Sequence, residues 1–302
     1  MTSRSWSTNR PWRGIMVATA LPLRDDLSVD FDAYAEHVSW LIAAGCDGVV
    51  PNGSLGEYQT LTDDERARVV RVAVEAAGDG ARVMPGVAAY GSAEARRWAD
   101  RAAEAGAGSV LLLPPNAYRA DERAVHAHYA DVARAGLPVV AYNNPHDTRV
   151  DLTPELLARL HQDGSIVAVK EFSGDVRRAY RIAELAPELD LLAGADDVLL
   201  ELAVAGAVGW IAGYPNALPA TCTELYHSAV SGDLDTALPL YKSLHPLLRW
   251  DSRTEFVQAI KLSMDIAGRR GGPVRPPRLP LTGGAEAAVR AATEKAVADG
   301  HH

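Results

Sequence analysis

Short runs of apolar and β-branched residues alternate along the chain with longer stretches in which apolar positions recur every three or four residues. The first run, 14–22, leads into a helical stretch at 31–44. Further strand candidates are 48–51, 82–88, 109–113, 138–142, 166–171, 191–193 and 209–212, which makes eight. The segments 62–77, 92–105, 122–135, 154–161, 176–185 and 198–205 are amphipathic and long enough to serve as crossover helices. Parallel strands need such crossovers, and crossovers are right-handed, so eight units in tandem predict an α/β fold of the (β/α)8 barrel type. An open doubly wound sheet is the runner-up. No Gly-x-Gly-x-x-Gly follows the first strand, which removes the commonest mark of doubly wound dinucleotide binders. The pattern after the eighth strand is helical to about residue 268, Pro- and Gly-rich to 284, then Ala-rich and helical. The expected division is an N-terminal arm at 1–13, a catalytic barrel at 14–216 and an appended C-terminal helical region at 217–302.

Composition narrows the classes of partner. No apolar run approaches the length of a membrane span, and the polar start reads as an arm and not as a secretion signal. A net charge of -9 disfavours nucleic acid, which is held by clustered Lys and Arg. Cys46 and Cys222 fit no metal or redox spacing and are expected as reduced, buried thiols in a cytoplasmic protein. A small molecule is the expected ligand.

The basic residues carry a sharper signal, because the chain has 26 arginines and only four lysines. Lys242, Lys261 and Lys295 lie in polar-interleaved, helix-like stretches. Lys170 sits within Ile166-Val167-Ala168-Val169-Lys170-Glu171-Phe172, where burial would lower its pKa and favour the neutral amine that attacks carbonyls. The bland alternative is an ion pair with a neighbouring strand's carboxylate. In a barrel of this kind reacting groups gather at the C-terminal ends of strands, and unusual residues do gather there. Tyr142 ends the fifth strand, one strand from Lys170, with a phenol able to shuttle protons or simply to pack. Gly53-Ser54-Leu55-Gly56-Glu57 follows the second strand, where backbone N–H groups and the Ser54 hydroxyl suit a carboxylate and Glu57 suits a structural role.

These residues resemble the dihydrodipicolinate synthase and N-acetylneuraminate lyase superfamily, with its Gly-x-x-Gly-Glu loop, Tyr-Asn-x-Pro strand end and lysine followed by glutamate. The resemblance spans nearly the whole chain, and Gly194-Ala195-Asp196-Asp197 and Gly209-Trp210-Ile211 also match family positions. It implies Lys170 as the Schiff-base lysine, Tyr142 as proton shuttle, and Ser54 with Leu55 as the loop holding a 2-keto acid such as pyruvate. Ile211 joins Gly53 as a substrate-lining position. A homo-oligomer, tetramer or dimer, is implied as well.

The departures point toward a particular branch. Leu55 stands where the synthases carry a second threonine, and 113–118 replaces a stretch in which paired tyrosines are common, leaving Tyr118 to stand in. Asp147 occupies the position where the synthases hold an arginine, although Arg149 is near. A carboxylate there would repel aspartate semialdehyde. Together with Arg275-Pro276-Pro277-Arg278-Leu279-Pro280, these features resemble the catabolic branch acting on 2-keto-3-deoxy sugar acids or on 4-hydroxy-pyrroline-2-carboxylate. The expectation is a deaminating lyase in which Asp147, Asn144 or Ser173 meets a hydroxyl or ring nitrogen, with dihydrodipicolinate synthase as the alternative. A metal-dependent aldolase finds only His126 and His128 as a close pair, and both are expected to face solvent. No metal or cofactor is expected. A barrel that binds a keto acid without turning it over is the non-enzymatic alternative, against which the intact Lys170 and Tyr142 stand.

Overall fold

The computed structural model describes residues 10–80 and 82–302. Eight parallel strands, β1 (Gly14–Ala18), β2 (Gly48–Val50), β3 (Arg82–Val83), β4 (Val110–Leu112), β5 (Val139–Asn143), β6 (Ala168–Glu171), β7 (Asp190–Ala193) and β8 (Gly209–Ala212), run in the order β3-β2-β1-β8-β7-β6-β5-β4. The bridge from Gly86 to Leu111 closes this row into a barrel. The third strand is shorter than its apolar run suggests because Pro85 has no N–H to donate and interrupts the ladder. Pairing resumes beyond it, where the Val87 N–H donates to the Leu111 carbonyl at 3.0 Å.

The crossovers are α1 (Phe31–Ala43), α2 (Asp63–Ala77), α3 (Ser92–Glu104), α4 (Glu122–Val132), the single turn α5 (Pro145–Thr148) with α6 (Pro154–Gln162), α7 (Arg177–Leu185) and α8 (Leu199–Val204). Their starts follow local chemistry. Thr62 and Glu65 close a reciprocal capping box at α2, while Asp121 and Thr153 cap α4 and α6 through their side-chain oxygens. Four further helices, α9 (Pro219–Ser231), α10 (Leu234–Leu248), α11 (Phe256–Ile266) and α12 (Gly283–Ala298), form the C-terminal region.

Alternate strand residues divide into two apolar layers, as the period of two requires. One lies between strands and helices. The other fills the barrel and includes Met16, Val50, Met84, Leu111, Val140, Ala168, Leu192 and Ile211. Trp12 belongs to this inner layer, and its indole donates to Asp190 at 2.7 Å while Arg10 and Arg13 pair with the same carboxylate. The pattern assigns 1–13 to an arm. Residues 10–13 instead plug the barrel floor, and 1–9 lie outside the described residues. Cys46 and Cys222 are buried free thiols. Among the described residues no helix is long and apolar enough to cross a membrane.

Two polar expectations are corrected by tertiary packing. His128 is buried, with Nδ1 2.9 Å from the Ser92 hydroxyl, whereas its neighbour His126 reaches Asp163 at the surface, so only one of the two faces solvent. Lys261 is not an ordinary surface lysine of α11. Its ammonium is buried against Glu57 at 2.9 Å and donates also to the Pro273 carbonyl. Removing one member of a buried ion pair strands the other charge, a loss of about 3–5 kcal/mol. Lys261→Met should therefore shift the denaturant midpoint strongly downward, and an unchanged midpoint would show that the pair contributes nothing.

Candidate active site

At the C-terminal mouth of the barrel, a cavity of about 290 Å3 is lined by residues of six strand ends and of the segment between α10 and α11. Lys170 stands in its wall at the end of β6, in register with Tyr142 on β5 and Leu192 on β7. Its amine lies 4.2 Å from the Tyr142 ring centre and 5.6 Å from that of Phe172, and makes no hydrogen bond among the described residues. Burial lowers its pKa, with Asp251 and Asp196 pulling the other way. Gly194 leaves the room that this requires, since a Cβ there would come within 3.1 Å of Lys170 Cγ and closer still to the Glu171 carbonyl.

The Tyr142 phenol is pushed far up, chiefly by burial, and accepts a long 3.5 Å contact from the Asn144 amide. It is therefore a protonated donor at neutral pH. Across the cavity lie Gly53, Ser54 and Leu55. This loop is held from below by Glu57, whose backbone is left-handed at φ 53° and whose carboxylate accepts from Lys261 and from the Arg275 N–H at 2.8 Å. The structural role expected for Glu57 is thus realised through a lysine that sequence pattern alone does not distinguish.

The remaining expected residues divide. Asn144, Asp147 and Ile211 line the cavity, Asp147 accepting from the Asn144 amide at 2.9 Å. Ser173 does not line it. Its N–H donates to Glu171 and its hydroxyl accepts from the Asp175 N–H, so it belongs to the turn after β6. Glu171 faces away from Lys170 and accepts from Asn143 and Arg178, tying β5 and β6 to α7. Tyr118, 62% exposed, lines a neighbouring groove with Arg119 and Arg149 and does not reach the cavity within one chain. Another cavity of about 320 Å3, between α2 and α3, is lined by Asn52, Trp98 and Arg101 and contains no lysine.

Sequence pattern does not assign to the cavity the residues that the C-terminal region brings to it, Asp251, Arg253 and Arg278 among them. Arg253 stacks on Trp250 at 4.3 Å, and Arg278 lies 5.3 Å from the Phe256 ring centre and donates to the Thr254 carbonyl. The polar break Asp251-Ser252-Arg253-Thr254 between two amphipathic helices was the available signal. Nothing in the order of residues says which end of the barrel it covers.

Comparison with known proteins places these features in context. The model of the dihydrodipicolinate synthetase family matches residues 11–296. A 4-hydroxy-tetrahydrodipicolinate synthase of Methanothrix thermoacetophila is 33% identical over 92% of this chain and 95% of its own length. Another with that name, from Acidothermus cellulolyticus, is 35% identical over 90% of this chain and 88% of its own. Among solved structures, the 4-hydroxy-tetrahydrodipicolinate synthase of Methylacidiphilum fumariolicum superposes with a TM-score of 0.90 at 26% identity, covering 95% of this chain and 96% of that one.

Proposed function

The chain belongs to the dihydrodipicolinate synthetase family and is a lyase, and we propose that it works by forming a Schiff base between Lys170 and a 2-keto acid, pyruvate in the first instance. The observation that carries this reading is the buried Lys170 amine, without a hydrogen-bond partner among the described residues, lying over the Tyr142 ring and opposite the Gly53–Leu55 loop. The neutral amine attacks the carbonyl carbon, and the carbonyl oxygen departs as water. Backbone N–H groups of the loop and the Ser54 hydroxyl hold the carboxylate, and Tyr142 moves protons at the carbon beside the former carbonyl. Loss of a proton from that carbon leaves an enamine that attacks an aldehyde.

The favoured aldehyde is aspartate semialdehyde, making the reaction the condensation for which the relatives are named. Arg253 and Arg278 support it. The electrostatic part of the case for the catabolic branch is the missing arginine at position 147, beside Leu55 and the 275–280 run, but in this cavity arginines come from the C-terminal region instead, and either can face an acidic tail. A second reading keeps the deamination of 4-hydroxy-pyrroline-2-carboxylate or dehydration of a 2-keto-3-deoxy sugar acid, because Asp147 lines the cavity and can meet a hydroxyl or ring nitrogen. We propose also that the chain acts as a homo-oligomer, in which the exposed Tyr118 is available to a neighbouring subunit.

Purified enzyme should consume pyruvate and aspartate semialdehyde together, with product followed by mass spectrometry. Turnover of the pyrroline or sugar acid with silence in the condensation would transfer the assignment to the second reading.

A further inference from the structure

We propose that Asp251 is the acid–base partner of Lys170, taking the proton that the amine must lose and returning one to the departing hydroxyl. This rests on the Schiff-base reading. Asp251 sits between α10 and α11, outside the barrel strands, yet its side chain is buried and lines the cavity that holds Lys170. One carboxylate oxygen accepts the Asp196 N–H at 3.3 Å, and the other lies above Gly213, where a Cβ would come within 2.7 Å of it. The carboxylate is thus seated over the ends of β7 and β8, in the cavity that Lys170 lines from β6. With no ion pair between the two among the described residues, a proton passes between them through a bridging water.

That seating has an electrostatic drawback that structure alone does not offset. Asp196, equally buried, accepts N–H groups from Trp210, Gly213 and Tyr214, so it has its own full set of donors. Burial first, and the Asp251 carboxylate after it, push Asp196 well above the usual carboxylate range. Asp251 has a single backbone donor and no ion pair within salt-bridge distance among the described residues. Burial pushes it up to about 6, with the Lys170 charge opposing. The groups acting on it are Lys170 from β6 and Asp196 and Asp197 beyond β7, while Tyr142 on β5 and Tyr214 after β8 feel its charge in return.

The chemistry balances with these groups alone. Asp251 as carboxylate accepts a proton from the Lys170 ammonium, and the neutral nitrogen adds to the keto carbon. The alkoxide so formed takes the Asp251 proton while the positive nitrogen gives one back to Asp251, which leaves a neutral carbinolamine and a protonated Asp251. The carbinolamine then loses its hydroxyl, which departs as water carrying the Asp251 proton. A positive iminium then faces a negative carboxylate, with no net gain or loss of electrons. Tyr142, whose phenol stays protonated, is left free to serve the carbon beside the iminium.

The test is the rate at which Lys170 acquires a borohydride-stable pyruvate adduct, measured by quenched mixing and mass spectrometry across pH. In the wild type this rate should rise through a limb near pH 6, as Asp251 loses its proton. Asp251→Asn keeps the shape and the acceptor for Asp196 while removing a repelling charge, so the fold should survive it. The variant should lose the limb and label about 10²- to 10⁴-fold more slowly. Asp251→Glu should retain the limb with a smaller loss, which a purely structural role for this side chain does not require. Labelling of Asp251→Asn at the wild-type rate, or a wild-type profile flat through pH 6, would overturn the proposal while leaving Lys170 in place. Absence of any adduct in the wild type would instead remove the Schiff-base reading, and this proposal with it.

Discussion

Lys170→Ala is expected to abolish both the pyruvate adduct and turnover. A nucleophile that forms the covalent intermediate has no substitute among its neighbours, and removing such a group lowers turnover by on the order of 10⁶-fold where the rest of a site is intact. The barrel offers none: among the described residues Lys261 is buried against Glu57, and Lys242 and Lys295 lie on α10 and α12. The loss of stability should be small, since the Lys170 amine makes no hydrogen bond or ion pair among the described residues and burial disfavours its charge, although the Asp251 carboxylate loses a compensating charge. The measurement is intact-mass spectrometry after borohydride reduction with pyruvate, alongside thermal unfolding. A variant that still carries one pyruvate-derived adduct would assign the chemistry to another amine.

Tyr142→Phe should lower kcat by about 10²- to 10⁴-fold, the usual contribution of a general acid–base group, with a much smaller change in KM. The ring would remain, so the packing against Phe172 and the contact with the Lys170 amine persist. Only the hydroxyl goes. Its one hydrogen bond among the described residues is the long one from Asn144, so the fold loses little by its removal. The split between kcat and KM separates proton transfer from packing. Near wild-type turnover would mean that the protons travel by another route, for which Asp251 and Ser54 line the same cavity.

The C-terminal residues alter how specificity is argued in this chain. With Asp147 considered alone, the site repels an acidic second substrate. With Arg253 and Arg278 added, its lining includes two arginines lying against aromatic rings, and the repulsion no longer decides. The position of a charge along the chain is therefore a poor guide to the field inside a cavity built from distant segments.

Much was legible before any fold was known, and the reasons are local. Strand and helix alternation records which backbone positions face apolar layers, and the residues of β1 to β8 show it because a barrel strand is buried on both sides. Lys170 was conspicuous for the same reason: a charged side chain in such a strand is expensive unless it serves a purpose. Tyr142 and the Gly53–Glu57 loop followed from their places at strand ends. What sequence pattern could not decide was everything set by contacts between distant segments. A lysine on an amphipathic helix looks alike whether it meets water or Glu57, and Lys261 proved to be the buried partner across 204 positions. His128 was hidden by Ser92 from the preceding helix, and Ser173 was drawn away from the cavity by Glu171. Asp251, Arg253 and Arg278 entered the site only because the segment between α10 and α11 folds over the barrel mouth. Period and composition report the burial of an element's face; which remote group meets that face depends on long-range packing, and here that packing brought one carboxylate and two arginines to the cavity.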